Sequence, residues 1–158
     1  MPRTSQPDEF RIPPMLAGVA GEYFVAAELS RRGYIASISL RNTRGIDILA
    51  TNTAATKTVT IQCKTNQLSR KVWVLSEACE EYHTPAHFYV FVALGRPDRR
   101  PTYHIVPSEV VARRVAVEHR TWLSTPRRDG RPHANTSVRQ FNDRDNKYLE
   151  RWELLGLS

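Results

Sequence analysis

Three segments of this sequence carry charged or amide side chains where apolar residues are the rule. Glu22 interrupts an apolar stripe of helical periodicity, and Asp47 stands between two isoleucines in a run without other charges. Gln62 and Lys64 are two residues apart in an alternating run, so they project from the same face of a strand. Carboxylates are the hard oxygen ligands that Mg²⁺ and Mn²⁺ prefer, and an amide oxygen is a neutral, weaker ligand. The four side chains predict a divalent-cation site in which Lys64 orients or deprotonates an attacking water, or balances charge on a pentavalent phosphate.

The position of Glu22 on its helix strengthens this prediction. A helical projection at about 100° per residue places five apolar residues within roughly 60° of Glu22, namely Met15, Val19, Val25, Ala26 and Leu29. A carboxylate at the centre of a buried stripe is costly unless a cation or hydrogen bonds compensate it. Glu28 lies off that stripe and is predicted to pair with Arg31 or Arg32. The alternatives are that Glu22 ends the stripe and reaches water, and that Asp47 only adjoins a turn at Gly45.

The elements that must position these residues follow from periodicity and turn signals. Gly33 ends the first helix, and the apolar run 87–94 is predicted to be a central strand. A polar, basic loop spans 124–138, and Asn142 is predicted to cap a last helix that Gly156 closes. The predicted helices are 15–32, 76–83 and 107–117, and the predicted strands are 34–40, 45–51, 58–64, 72–75, 87–94 and 102–106. This order predicts an α/β fold with a mixed β-sheet flanked by helices.

The order of helix-Glu, strand-Asp and strand-Gln-x-Lys resembles the PD-(D/E)XK nuclease superfamily. Three segments carry the resemblance: residues 18–34 (GVAGEYFVAAELSRRGY), 44–50 (RGIDILA) and 59–64 (VTIQCK). They are most similar to archaeal Holliday junction resolvases and type IV restriction endonucleases. The match covers roughly residues 15–106. It implies a restriction-endonuclease-like sheet in an enzyme that hydrolyses DNA phosphodiester bonds, on branched or foreign DNA, with Mg²⁺ or Mn²⁺ as cofactor. A cytoplasmic location is expected on other grounds, namely the two cysteines and the lack of a signal-peptide pattern.

Carried over residue by residue, the resemblance assigns a role to each candidate. Asp47 and Gln62 would bind the metal with the backbone carbonyl of Cys63, Glu22 would bind a second metal or a metal-bound water, and Lys64 would serve the nucleophile. Ile46 replaces the proline of the family name, as is common in the superfamily. Gln62 replaces the more usual acid, which removes a negative charge and weakens metal affinity. A non-catalytic nucleic-acid-binding module with a degenerate nuclease fold is therefore the alternative.

The charge distribution is consistent with a nucleic-acid partner. The net charge is +7 and the isoelectric point is about 9.8, and 13 of the 23 basic residues but only eight of the 16 acidic ones lie in 96–158. Such an excess fits contact with phosphates, because released counterions drive that binding. A solvated basic tail on an α/β protein of unrelated function is the remaining alternative. The candidate DNA-contacting residues flank the motif strands or lie in the basic loop: Arg41, Arg44, Arg70, Lys71, Arg127, Arg128 and Arg131.

Length and composition bound the rest. The 158 residues with 41% hydrophobic content suit one soluble domain over 15–158, with a core motif region at 15–106, a basic extension at 107–158 and a flexible leader at 1–14. No membrane span, signal peptide or organic cofactor is expected. Two cysteines make no disulfide framework. Many members of the superfamily pair as dimers, so a homodimer is expected, and the apolar final helix is one candidate interface.

Two other patterns are given structural interpretations. Cys79, His83 and His87 are spaced by four residues, which suggests zinc, but Pro85 interrupts the helix and no fourth ligand is evident. A helix cysteine and two loop or strand-edge histidines is the preferred account. The aromatic residues are predicted to be packing residues rather than base-stacking platforms: Trp73, Tyr82, Tyr89, Tyr103, Trp122, Tyr148 and Trp152.

Overall fold

The protein is described by a computed structural model over residues 10–40, 44–67 and 71–158. The first helix, α1 (Pro14–Arg31), starts with a proline at its first position, where the missing N–H has no helical partner to lose. Gly33 follows its end at φ +85°, a left-handed conformation that favours glycine. Ahead of α1, the backbone N–H and carbonyl of Ile12 both bond the Gln67 side chain, at 2.7 and 2.8 Å. Residues 1–9 of the predicted leader lie outside the described residues.

In the described residues, seven strands form two sheets. They are β1 (Ile35–Ile38), β2 (Ile48–Thr51), β3 (Thr58–Asn66), β4 (Val72–Ser76), β5 (His87–Ala93), β6 (Thr102–Pro107) and β7 (Val138–Asn142). The five-stranded sheet has the order β1-β2-β3-β5-β6, in which β3 and β5 are parallel and the other pairs antiparallel. Strands β4 and β7 form a separate antiparallel pair. The mixed α/β architecture predicted from the sequence is confirmed.

The alternation along β3 divides the molecule into two layers. Val59, Ile61 and Cys63 pack beneath α1 with Val25 and Leu29. The intervening residues of β3 face the opposite side of the sheet. Strand β5 is buried on both faces, as its unbroken apolar run predicts. Its residues Tyr89 and Phe91 belong to a second cluster formed with these side chains: Trp73, Val111, Val115 and Phe141.

The C-terminal third differs most from the prediction. Helix α2 (Ser108–Ser124) runs seven residues past its predicted end, and the strand β7 was not predicted because its sequence, VRQFN, is mostly polar. Phe141 nevertheless stacks on Phe91 at a centroid separation of 4.6 Å, which fixes β7 against the sheet. Asn142 therefore ends a strand instead of capping a helix.

The two short helices predicted at 76–83 and after Asn142 are 3₁₀ turns, Glu77–Glu80 and Trp152–Leu155. Ser76 belongs to β4, which leaves too few residues for a full helix before Pro85. Gly156 closes the last turn at φ +63°, as predicted. Trp152, Leu155 and Leu157 are buried in the core under α1. Because these apolar side chains are not available to a second subunit, the prediction that they form a dimer interface is wrong.

Helix α1 is also rotated relative to the prediction. It buries Ala17, Gly21, Val25, Glu28 and Leu29, whereas Met15 of the predicted stripe is 64% exposed. The prediction that Glu28 lies off the buried face is wrong. On a helical projection, the buried side that contains positions 17, 21 and 25 also contains position 28. Its predicted ion pairs with the two following arginines do form, at 3.2 and 3.1 Å. In the described parts of the chain, no helix is both long and apolar enough to span a membrane.

Candidate functional site

A close contact between α1 and β3 sets the geometry of the site. A Cβ atom added to Gly21 would lie 1.9 Å from Oγ1 of Thr65, so only glycine permits this approach without rearrangement. The contact brings the middle of α1 directly over β3. Glu22, the next residue along the helix, is thereby placed near the end of the sheet at which β2 begins.

Glu22 is half-buried at the edge of the helix face, not at its centre as the sequence predicted. The small residues Ala17 and Gly21 allow closer approach to the sheet than the larger side chains of the predicted stripe, so the helix turns toward them. Glu22 and Asp47 share the wall of a cleft of about 270 Å³, hereafter the smaller cleft. The helix rotation therefore leaves this carboxylate accessible from a cavity that a second carboxylate also faces.

Asp47 immediately precedes β2 and is held by β3. Its backbone N–H donates to the carbonyl of Ile61 at 2.9 Å, and its Oδ2 accepts the backbone N–H of Cys63 at 2.7 Å. Burial raises the pKa of the Asp47 carboxyl, while the Cys63 N–H and the Lys64 ammonium act in the opposite direction. No hydrogen bond to Oδ1 of Asp47 occurs among the described residues. One oxygen is thus fixed and the other is available to a ligand.

The charges of Glu22, Asp47 and Lys64 all affect the pKa of the Cys63 thiol. Burial raises the pKa of the Cys63 thiol well above its ordinary value, and the negative charges of Asp47 and then Glu22 raise it further. The Lys64 ammonium lowers the same pKa. The two carboxylates line the smaller cleft and Lys64 lines a second cavity, so the three charges lie on either side of this part of β3. A protonated, neutral thiol there leaves the charge balance to the other three groups.

Gln62 and Lys64 face a second cavity on the opposite side of β3 from Cys63. This larger cleft has a volume of about 830 Å³. Lys64 lies within β3, which continues to Asn66, and not at the strand end as predicted. The consecutive residues 44–47 border both cavities, the first two lining the larger cleft and the last two the smaller. The four predicted site residues are therefore divided between two adjoining clefts.

The donor set is compatible with a hydrated Mg²⁺ or Mn²⁺ ion. Mg²⁺ keeps several waters and is usually bound through one or two carboxylates, which Asp47 and Glu22 can supply, with the Gln62 amide as a neutral addition. Over residues 10–40, 44–67 and 71–158, no group of three or more His, Cys, Asp or Glu forms a cluster able to hold a metal. Cys79, His83 and His87 are among the described residues, so the structure does not support a zinc site formed by these three side chains. The role of the Cys63 carbonyl remains a prediction.

The described members of the predicted DNA-contacting set lie on separate segments of the chain. Arg44 is exposed and lines the larger cleft, beside Lys64. Lys71 is half-buried, and its carbonyl accepts the N–H of Asp143. Three exposed arginines lie in the turn after α2, namely Arg127, Arg128 and Arg131. The backbone N–H of Arg127 donates to the carbonyl of Arg131 at 2.9 Å. Arg41 and Arg70 lie outside the described residues.

Sequence reasoning did not associate three residues of the larger cleft with the site. Tyr82 and Tyr89 were interpreted as packing residues, yet both line this cleft, and Tyr82 is 43% exposed. Arg139 reaches it from β7 and pairs with Glu80 of the first 3₁₀ turn. The one usable signal was Tyr82, because a tyrosine in a polar segment just before Pro85 has few apolar neighbours in sequence.

Comparisons with known proteins give similarity of fold. No protein-family model matches the sequence, and no curated protein sequence matches it. A bacterial homing endonuclease, I-Ssp6803I, superposes with a TM-score of 0.56 at 12% identity, over 92% of this chain and 94% of that chain. Hjc, a Holliday junction resolvase from Archaeoglobus fulgidus, gives a TM-score of 0.46 at 14% identity, over 80% of this chain and 84% of that one. The mixed α/β architecture is thus similar in fold, across nearly its whole length, to that of a homing endonuclease.

Proposed function

We propose that this protein is a metal-dependent endodeoxyribonuclease that hydrolyses DNA phosphodiester bonds. The observation that carries the proposal is that Glu22 and Asp47 line one cleft while Lys64 lines the adjoining one, so that a cation-binding pair of carboxylates lies near an ammonium. A purely nucleic-acid-binding surface gains nothing from two carboxylates in a cleft, because they repel phosphates unless a cation bridges them. Resemblance of the motif order and of the fold to nucleases supports the same conclusion.

Each residue has a distinct task in this mechanism. Asp47 is oriented before any ligand arrives, because the Cys63 N–H holds its Oδ2 and leaves Oδ1 toward the cleft. Glu22 would complete the oxygen ligands for Mg²⁺ or Mn²⁺, and further candidates are the Cys63 carbonyl and Gln62, which lines the adjoining cleft. When bound, the cation would supply a more acidic water and offset charge on the phosphate. Lys64 orients the water or stabilises the developing negative charge.

The partner in this proposal is DNA, bound in part through cations at the rim of the larger cleft. Arg44 is suited to contact the phosphate that approaches Lys64, since both line that cleft. The turn with Arg127, Arg128 and Arg131 offers a second basic surface. A homodimer would present two such sites to two strands of branched or foreign DNA. Organic cofactors and membranes have no part in this mechanism.

Cleavage assays test the proposal directly. Linear, single-stranded and four-way-junction DNA are incubated with the protein and Mg²⁺ or Mn²⁺, beside Asp47→Asn and Lys64→Met variants. Wild type is expected to cut at least one substrate, and both variants to lose about a hundredfold or more in rate. Arg99→Ala, an exposed arginine that lines neither cleft, is the matched control and keeps the wild-type rate. Equal cleavage by wild type and both site variants would indicate contamination and refute the proposal.

The alternative is a DNA-binding module that retains the nuclease fold without turnover. The specific observation in its favour is Gln62, which places a neutral amide where the related enzymes more often carry an acid. This alternative predicts salt-dependent binding without cleavage under any divalent cation. A Gln62→Glu variant separates the two cases, since restored charge increases the rate of a weak enzyme and does nothing for an inactive module.

A further inference from the structure

The larger cleft is bigger than a hydrated cation and one phosphate require. Its volume of about 830 Å³ extends from Gln62 and Lys64 to the first 3₁₀ turn, Glu77–Glu80, and to Tyr82 beyond it. The candidate ligands and Lys64 occupy one side only. The opposite side is therefore free to bind a part of the substrate that does not react.

Tyr82 offers a flat surface on that side whose orientation is fixed by its neighbours. A Cβ atom at Gly45 would come within 2.9 Å of Cε1 of its ring, so the ring lies directly against the backbone that leads to Asp47. The His87 ring contacts it edge-on at a centroid separation of 4.9 Å. With 43% of the residue still exposed, stacking on this ring costs little additional side-chain entropy.

Tyr89 supplies a buried polar group in the same cleft. The residue is 1% exposed and lines the cleft, and its strand register places it opposite Gln62. No hydrogen bond to its hydroxyl occurs within residues 10–40, 44–67 and 71–158. Burial raises the pKa of this phenol, so it stays neutral and able to donate a hydrogen bond at physiological pH. A phenol hydroxyl that makes no hydrogen bond to the described residues can donate one to a ligand in the cleft that Tyr89 lines.

The charges of the cleft separate a phosphate end from a base end. Arg139 is engaged by Glu80 and by the carbonyls of Thr136 and Val138, so this pair adds little net charge. The exposed carboxylates of Glu77 and Glu81 line the side near Tyr82, where they repel phosphates and accept N–H donors. The cations Arg44 and Lys64 lie toward the candidate site.

We propose that the larger cleft binds one unpaired nucleobase of DNA, stacked on Tyr82 and hydrogen-bonded by the Tyr89 hydroxyl, beside the phosphodiester at the candidate site. The identity of that neighbouring phosphate rests on the proposed function. A base inside a duplex has both faces stacked and its pairing edge occupied, so it cannot enter the cleft. The substrate class is therefore DNA with an unpaired nucleotide, such as a bulge or a flap, next to the cleaved bond.

Binding without turnover tests this inference. The affinity of the full chain for a fluorescein-labelled duplex with one bulged nucleotide is measured by anisotropy in EDTA, beside the same duplex fully paired. The bulged duplex is expected to bind about tenfold more tightly. Tyr82→Ala abolishes the preference and Tyr82→Phe keeps it, because stacking needs the ring and not the hydroxyl. Tyr89→Phe weakens the preference. Tyr23→Ala, an exposed tyrosine of α1 outside both clefts, keeps it.

Photocrosslinking keeps the inference falsifiable if Tyr82→Ala does not fold. 5-Iododeoxyuridine at the bulge is expected to crosslink wild-type protein at Tyr82, identified by peptide mass spectrometry, and the paired analogue is not. Equal affinity for both duplexes, or a crosslink confined to residues outside the larger cleft, would overturn the inference. Cleavage without bulge preference refutes the base site and leaves the nuclease proposal standing. Bulge preference without cleavage in Mg²⁺ or Mn²⁺ supports the base site and refutes the nuclease proposal.

Discussion

Two carboxylates from different parts of the sequence, Asp47 and Asp143, are held in different ways. Asp143, just after β7, is 2% exposed and accepts three hydrogen bonds, from His104 Nδ1 at 2.6 Å and from two backbone N–H groups at 3.0 and 2.9 Å. Asp47 is only half-buried and, within the described parts of the chain, accepts one hydrogen bond, from the Cys63 N–H. The more deeply buried acid is thus the better satisfied one.

This difference separates a structural carboxylate from a candidate functional one. The bonds of Asp143 join β6 to the segment after β7 and leave no oxygen for a ligand. Asp47 keeps one oxygen toward a cleft, and burial raises its pKa because its surroundings do not fully compensate the charge. Incomplete compensation in a cleft, and not burial alone, is the property that marks a cation site.

Removing the satisfied carboxylate is expected to have the largest effect on stability. Asp143→Ala leaves His104 and two backbone N–H groups without their acceptor inside the protein, and should lower the free energy of unfolding by about 3–5 kcal/mol. Urea denaturation measures the change. Asp145→Ala, an exposed neighbour, is the control and should cost little. A loss for Asp143→Ala as small as that of the control would contradict the structural role.

Neutralising Asp47 should lower the cleavage rate without lowering the stability. Asp47→Asn keeps an acceptor for the Cys63 N–H but removes the charge that binds a cation, so the cleavage rate is expected to fall about 10²–10³-fold. The free energy of unfolding at neutral pH should not fall, because the raised pKa shows that the charge is unfavourable there. Single-turnover rates and urea denaturation on one preparation give both quantities. Destabilisation comparable to that of Asp143→Ala would refute the distinction between the two acids.

The approach of α1 to β3 should matter to both stability and the site. In Gly21→Ala the new methyl group meets Thr65, so we expect a loss of about 1–3 kcal/mol in the free energy of unfolding and a lower cleavage rate as Glu22 moves. The double variant Gly21→Ala/Thr65→Ala should recover most of the lost free energy of unfolding and most of the lost cleavage rate. Gly18→Ala is the matched control: nothing lies within 4 Å of its added Cβ, so it should stabilise the helix by about 0.5–1 kcal/mol. Equal effects at the two glycines would show that the contact is unimportant.

The smallest expected effect is a pH dependence of the difference between wild type and Asp47→Asn. A carboxyl whose folded-state pKa is raised binds more protons folded than unfolded, so its contribution to stability falls as pH rises from the ordinary value near 3.8 through the raised value. Asp47→Asn should therefore gain stability relative to wild type over that interval and keep the gain at neutral pH. Urea denaturation at a series of pH values measures it. A gain that appears only on acidification would have the wrong sign.

Much of the fold was predictable because it depends on local patterns. The alternation of Val59, Ile61 and Cys63 gave β3 and its buried face, and the continuous apolar run at 87–94 gave an interior strand. Strand β7 was not predictable, since its polar sequence becomes a strand only by pairing with β4 and by stacking Phe141 on Phe91. Tertiary contacts overrode weak local preference there.

The candidate site shows the same division. The residue types at Glu22, Asp47, Gln62 and Lys64 were identified from charge in apolar surroundings. Their arrangement was not, because the helix projection assumed that large apolar side chains define the buried face. The contact of Gly21 with Thr65 turned the helix and moved Glu22 from the expected centre to the edge.

The sequence by itself determined the order of the strands as far as β6, the mixed α/β class and the four residues whose chemistry is out of place. Those features depend on neighbours along the chain, where periodicity and side-chain type act directly. The tertiary structure alone decided that two clefts flank residues 44–47, that Tyr82 and Tyr89 line one of them, and that Asp143 is satisfied while Asp47 is not. These features depend on which distant backbone N–H groups and side chains meet, and packing decides that only when the whole chain has folded.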